Sequence, residues 1–214
     1  MSIFNIFRRR KKHSIVRASQ PPIIPQAPKV HPATSDNSME LKVRRYFHNT
    51  QGFQCYTTWF THWGGWVSAG HCVTEANDHL PDFVVGETTS WPDGLDAALA
   101  GCRLPDQRSS APVIGRDVIL YGFPAGSRTM ERRTGRVYFE RGAGTWIAHI
   151  FEPDEPVVTG MSGGPVVDAK TQEPLGIIIT RNSPADLNND RDPDESADFI
   201  ALSAVWDALN PKMV

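Results

Sequence analysis

From residue 41 onward, short apolar runs alternate with turn-forming residues. The runs "LKVRRYF" (41–47), "GFQCYTTWF" (52–60), "GWVSAG" (65–70), "DFVVGETT" (82–89) and "LDAALAGCRL" (95–104) come first. They are followed by "DVILYGF" (117–123), "RRTGRVYFE" (132–140), "TWIAHIF" (145–151), "SGGPVVD" (162–168), "LGIIIT" (175–180) and "DFIALSA" (198–204). Most carry β-branched or aromatic residues and end at Gly, Pro, Asn, Asp or Ser, so the pattern predicts many short strands in an all-β barrel or sandwich. Only "SAVWDALN" (203–210) reads as a helix, with Val205, Trp206 and Leu209 at helical spacing and Ser203 as its expected N-cap. No internal repeat is evident.

The first 38 residues break this pattern. "QPPIIPQAPKVHP" (20–32) is rich in proline and is followed by the polar "ATSDNS", a composition suited to an extended linker, so the packed domain is expected to run over 39–214. Charge divides at the same place. Arg8, Arg9, Arg10, Lys11, Lys12 and Arg17 are six of the 22 basic residues and no acid lies among them; the 16 that remain face 24 acidic residues, leaving the rest of the chain at about −8. Such an arm suits contact with an anionic surface, whether membrane, nucleic acid or acidic protein, and equally a solvated tail. No apolar run approaches transmembrane length and no secretory signal follows the basic cluster, so a soluble, cytoplasmic protein is the default expectation.

Three short stretches carry chemistry. "GGWVSAGHCV" (64–73) delivers His71 at the end of an expected strand, where an imidazole is either a packed structural group or a proton-transfer group. "VVTGMSGGPVVD" (157–168) sets Ser162 between Gly160 and the pair Gly163-Gly164; glycines there allow a tight turn whose amides can face a developing oxyanion. A serine–histidine pair needs an acid to hold the imidazole tautomer, and "SWPDGLDAALAGC" offers Asp93 and Asp96. Asp93 sits in a turn-like Pro-Asp-Gly, whereas Asp96 enters an apolar run where a carboxylate requires donors, so Asp96 is preferred. The acidic stretch "ADLNNDRDPDES" (185–196) has the Asp186, Asn188, Asp190 spacing of a calcium loop. It carries Arg191 and Ala197 where glycine and a bidentate acid belong, and no metal or other cofactor is expected.

"VSAGHC", "DAAL" and "GMSGGPVV", in the order His, Asp, Ser, resemble the three motif blocks of trypsin-like (chymotrypsin-fold) serine peptidases. "YGFPAGS" followed by "RRTGRVYF" resembles the second-barrel opening of compact bacterial members such as the high-temperature-requirement family. The resemblance implies two antiparallel six-stranded β-barrels, about 39–107 and 112–205, with the active site in the cleft between them and a C-terminal helix at 203–210. It implies a serine endopeptidase acting on a peptide or protein substrate, with His71 as general base, Asp96 orienting it, Ser162 as nucleophile, and the Gly160 and Ser162 amides as oxyanion hole. It also places the substrate pocket beside Thr159, Ile179, Thr180 and Arg181. The family's disulfide beside the histidine has a counterpart in Cys55 and Cys72, while the missing export signal favours reduced thiols; both states stay open. Met161 stands where relatives carry Asn or Asp, which removes the acid that animal zymogens pair with a freed N-terminus. Gly70 stands where relatives carry Ala. Two rival functions remain at this stage: a catalytically idle peptide-binding module on the same fold, and an adaptor tethered through its basic tail.

Overall fold

The computed structural model describes residues 41–50, 53–74, 80–90, 95–125, 127–152, 155–182 and 195–210. Asp93, the acidic segment 183–194 and the basic cluster Arg8, Arg9, Arg10, Lys11 and Lys12 lie outside them. The fold is all-β with a short C-terminal helix. Among the described residues, no helix is long and apolar enough to cross a membrane.

The first sheet contains β1 (Val43–Thr50), β2 (Phe53–His62), β3 (Gly65–Ser68), β4 (Thr88–Ser90) and β5 (Ala98–Ala100) in the spatial order β1-β2-β3-β5-β4, antiparallel throughout. Among the described residues it has five strands and does not close. Two expected strands shrink here: "DFVVGETT" yields only β4 and "LDAALAGCRL" only β5. Gly86 takes the left-handed region at φ +96°, and Val85 beside it is exposed, so an apolar run that reads as a strand is spent on a crossing loop. After β3 the chain enters α1 (Gly70–Thr74), a single short helical turn that carries His71.

The second sheet is a closed barrel with strand order β10-β11-β8-β7-β6-β9. Its strands are β6 (Asp117–Gly122), β7 (Glu131–Gly142), β8 (Thr145–Ile150), β9 (Pro165–Asp168), β10 (Pro174–Asn182) and β11 (Ser196–Ala201). Alternate residues point inward, and Val118, Leu120, Val137, Ala148, Ile150, Val166, Ile178 and Phe199 fill the interior with Met161. Each large side chain so buried contributes roughly 1.5–3 kcal/mol.

Helix α2 (Leu202–Leu209) follows β11 without a break and packs against β10 and β11 of this barrel. Its Leu202, Val205 and Trp206 join Phe60, Val67, Ala69 and Leu99, together with Ile177 of β10 and Ile200 of β11, in one core cluster, and Trp206 Nε1 donates to Pro105 O at 2.9 Å. The end of the chain therefore ties the two sheets together. The N-cap is Ala201 rather than the expected Ser203, and no side chain caps the helix. Ala201 is the last residue of β11, and its amide donates to Gly144 O, so the preceding strand fixes where the helix begins.

Candidate active site

His71 enters the site because β3 ends at Ser68 and the chain turns at once into α1. Asp96 arrives from the extended segment just before β5, whose Ala98 pairs with Ser68. Pairing of β3 with β5 thus brings the two side chains together across one ladder. Asp96 grips the histidine at two points: His71 Nδ1 lies 2.6 Å from Asp96 Oδ2, and the His71 amide donates to Asp96 Oδ1 at 2.7 Å. That second bond locks the carboxylate plane, so its other oxygen faces the ring. Both side chains are about one-third exposed, 34% and 31%. Gly70 leaves room for this arrangement, since a Cβ there would stand 3.0 Å from Asp96 Oδ1 and from Ser90 Oγ.

The electrostatics follow from this geometry. Burial disfavours the imidazolium, but hydrogen bonds and charge from Asp96 and Cys72 outweigh it, and the His71 pKa is raised from 6.5 to about 10. Burial pushes Asp96 upward too, yet its bonds to His71 and the nearby amides hold the carboxyl below its usual value. The other ring nitrogen, Nε2, faces Cys72 Sγ at 3.6 Å.

Ser162 sits in the tight turn 160–164 that leads into β9. Gly160 and Gly163 take positive φ, +95° and +85°, as the sequence requires of a turn this sharp. Gly163 also lies where a Cβ would run into Ser68 Oγ and Thr58 O of the first sheet. The turn is therefore pressed against the wall that carries His71. Within it, the Met161 amide donates to Val158 O at 3.1 Å, while the amides of Gly160 and Ser162 on either side make no hydrogen bond to the described residues. Two neighbouring N–H groups left open is the arrangement an oxyanion requires. Met161 itself is fully buried in the second-barrel core, with its Cα and Cβ against Gly122, so the position where the resemblance implies Asn or Asp is here part of the packing.

The Ser162 hydroxyl donates to Ile179 O at 3.0 Å. Ile179 lies where the β10–β11 register shifts between Ile178 and Thr180, a bulge that turns its carbonyl toward the serine. The four residues that the resemblance sets beside a substrate pocket differ in exposure. Thr159 and Thr180 are exposed, Ile179 is half-buried, and Arg181 lies on β10 with its side chain outside the described residues. Cys55, Cys72 and Cys102 are all thiols, so the Cys55–Cys72 bridge that resemblance suggested is not formed. Cys55 pairs with His48 across the β1–β2 ladder, whereas Cys72 turns toward His71.

Three supporting residues escaped the sequence reading. Arg133, nearly buried, donates from Nε to Pro156 O at 2.9 Å and from Nη2 to Glu131 at 2.7 Å, bracing the segment before the serine turn. The Ala125 amide donates to Thr159 O at 2.7 Å. Thr58 reaches the turn from β2. The "YGFPAGS" stretch was singled out only for its resemblance; Ala125 within it, like an arginine and a threonine inside strand patterns, gave no signal, because their partners lie far away in sequence.

No family model matches the sequence, and no curated protein matches it. Solved structures do. A serine endoprotease from Yersinia pestis aligns with TM-score 0.55 at 14% identity, over 79% of this chain and 61% of that one, so this chain spans less than two-thirds of that protein's length. The thermostable serine protease AL20 from an extremophilic microorganism aligns with TM-score 0.53 at 13% identity, over 79% and 95% of the two chains. The active form of the Rv3671c protease from M. tuberculosis aligns with TM-score 0.51 at 18% identity, over 77% and 76%. The chain therefore has the fold of trypsin/chymotrypsin-type serine proteases.

Proposed function

We propose that this protein is a serine endopeptidase that works through an acyl-enzyme. One observation carries the reading: the two-point His71–Asp96 contact stands in the same body as a serine flanked by two open amides. In the proposed cycle Ser162 Oγ attacks the scissile carbonyl and His71 Nε2 takes its proton, then returns it to the leaving amine. Asp96 holds Nδ1 protonated so that Nε2 is the basic nitrogen. The Gly160 and Ser162 amides receive the oxyanion. Water then repeats the sequence on the acyl-enzyme.

The resting hydroxyl must leave Ile179 O to reach His71. Ile179 O is also a natural acceptor for a substrate backbone N–H laid along β10, so binding of an extended peptide would release the nucleophile. Among the described residues of the segment before the serine turn, the acid Glu155 is exposed and directed to Arg133 at 3.8 Å, a pairing that favours a small or medium apolar side chain before the cleaved bond over Lys or Arg. Incubation of the full chain with a fluorophosphonate probe and with labelled casein tests the reading. Labelling at Ser162 and casein cleavage are expected; an unlabelled, inert protein would leave a peptide-binding module on a protease fold.

A further inference from the structure

Thr58 is fully buried on β2, next to the core residues Trp59 and Phe60. Packing alone has no use for a hydroxyl there, and valine would fill the same space without a polar group to satisfy. Yet every polar atom of Thr58 that faces the second barrel is engaged with the serine turn or its support. Its hydroxyl donates to Gly160 O at 2.7 Å and accepts from the Phe123 amide at 3.1 Å. Its amide donates to Ser162 O at 2.9 Å. Its carbonyl, pointing back, accepts from Ser68 Oγ at 2.8 Å.

These bonds bear on the direction of the open Gly160 amide, because a peptide plane is rigid and fixing its carbonyl fixes its N–H. The Gly160 amide belongs to the Thr159–Gly160 plane, whose carbonyl is held by the Ala125 amide. Ala125 in turn belongs to the 123–125 segment, which lies so close to Gly160 that a Cβ would strike Phe123 O and Ala125 N. The Thr58 hydroxyl anchors that segment through Phe123 and anchors the following plane through Gly160 O. Gly160, with φ +95° and no side chain, has little else to hold it.

We infer that Thr58 is a positioning residue: its hydroxyl, supplied by the first sheet, sets the orientation of the Gly160 amide and so the competence of the oxyanion hole. This rests on the serine hydrolase reading above. Without the hydroxyl, Gly160 O and Phe123 N lose their shared partner in a buried place, and rotation of the Thr159–Gly160 or Gly160–Met161 plane relieves them.

The test compares full-length wild type, Thr58→Val and Thr58→Ser by the rate and affinity of fluorophosphonate inactivation, with thermal unfolding alongside. The phosphonyl oxygen takes the oxyanion's place, so Thr58→Val is expected to lower the inactivation rate constant about 10- to 100-fold, less than outright removal of an oxyanion donor. The probe's initial affinity should stay within about twofold, as for an interaction made only in the transition state. Thr58→Ser, which keeps the hydroxyl, should return to within about threefold of wild type. A Thr58→Val protein with the wild-type rate, a loss confined to affinity, or a loss that Thr58→Ser fails to restore overturns the positioning role. If Thr58→Val does not fold, Thr58→Ala carries the same expectation, and failure of both to fold makes Thr58 a purely structural residue. A wild-type protein that never labels fails the hydrolase reading itself, and the positioning role falls with it.

Discussion

The two sheets contribute unlike things to one site. The first is open among the described residues, with two strands of three residues each and a loop-borne Asp96; it supplies the titrating pair. The second is a closed six-stranded barrel whose interior is apolar, and it supplies the serine turn. A closed barrel has no edges to slip and holds a tight glycine turn in one conformation. A sheet with short strands and crossing loops brings polar groups together near the surface, where a proton can leave. Neither half holds all the groups that the proposed reaction uses. The seam between them is where Thr58, Ser68 and Gly163 meet, so the geometry of the proposed reaction depends on that contact.

The comparison breaks most completely on the barrel side. Ser162→Ala should abolish fluorophosphonate labelling and casein cleavage, while thermal unfolding stays close to wild type, since a half-buried serine hydroxyl on a single carbonyl contributes little packing. Retained turnover would move the nucleophile elsewhere. On the first-sheet side, Asp96→Asn should leave the fold intact and lower kcat by about three to four orders of magnitude, because an amide at that place favours the wrong tautomer of His71. A loss of less than tenfold would show that the carboxylate is only a structural partner.

The seam itself answers to Gly163→Ala. The new methyl would meet Thr58 O and Ser68 Oγ at a residue with φ +85°, so stability should fall by about 2 kcal/mol or more in denaturant titration, with activity lost as the sheets part. Unchanged stability would mean that the contact gives way easily.

The smallest effect concerns Cys72. A general base works only when unprotonated, so a His71 pKa raised to about 10 predicts that kcat/KM climbs as pH rises above neutrality. Cys72→Ala removes the contact at Nε2 and one of the two upward influences, so the rising limb should move to lower pH. An unmoved limb would assign the whole shift to Asp96. The raised pKa also carries a stability signature. The ion pair's contribution is fully present below the unfolded histidine value and lost as pH climbs through about 10. Asp96, held below its usual value, loses its contribution at the acid end, as pH falls through its folded pKa.

Period-two runs bounded by glycine and proline were enough to read an all-β chain with a terminal helix, because strand alternation and helical spacing are local properties of the sequence, but not the five-residue α1 that carries His71. The glycines around Ser162 were legible for the same reason: a positive φ restricts residue choice wherever it occurs. The choice of Asp96 also came from a local conflict, a carboxylate opening an apolar run, and the structure puts Asp96 in hydrogen bond with His71. What sequence could not reveal was set by pairing across distance. Val84 and Val85 look like strand residues, yet the left-handed Gly86 and the close approach of Gly101 turn them into a loop. Ser203 looks like a helix cap, yet β11 runs to Ala201 and leaves it no such place. Thr58 looks like any strand threonine and becomes a clamp only when the second barrel brings Gly160 and Phe123 to it from 102 and 65 residues away. Local propensity writes itself into composition and spacing, but a hydrogen bond needs only one donor and one acceptor at the right distance, and the distance is decided by the fold alone.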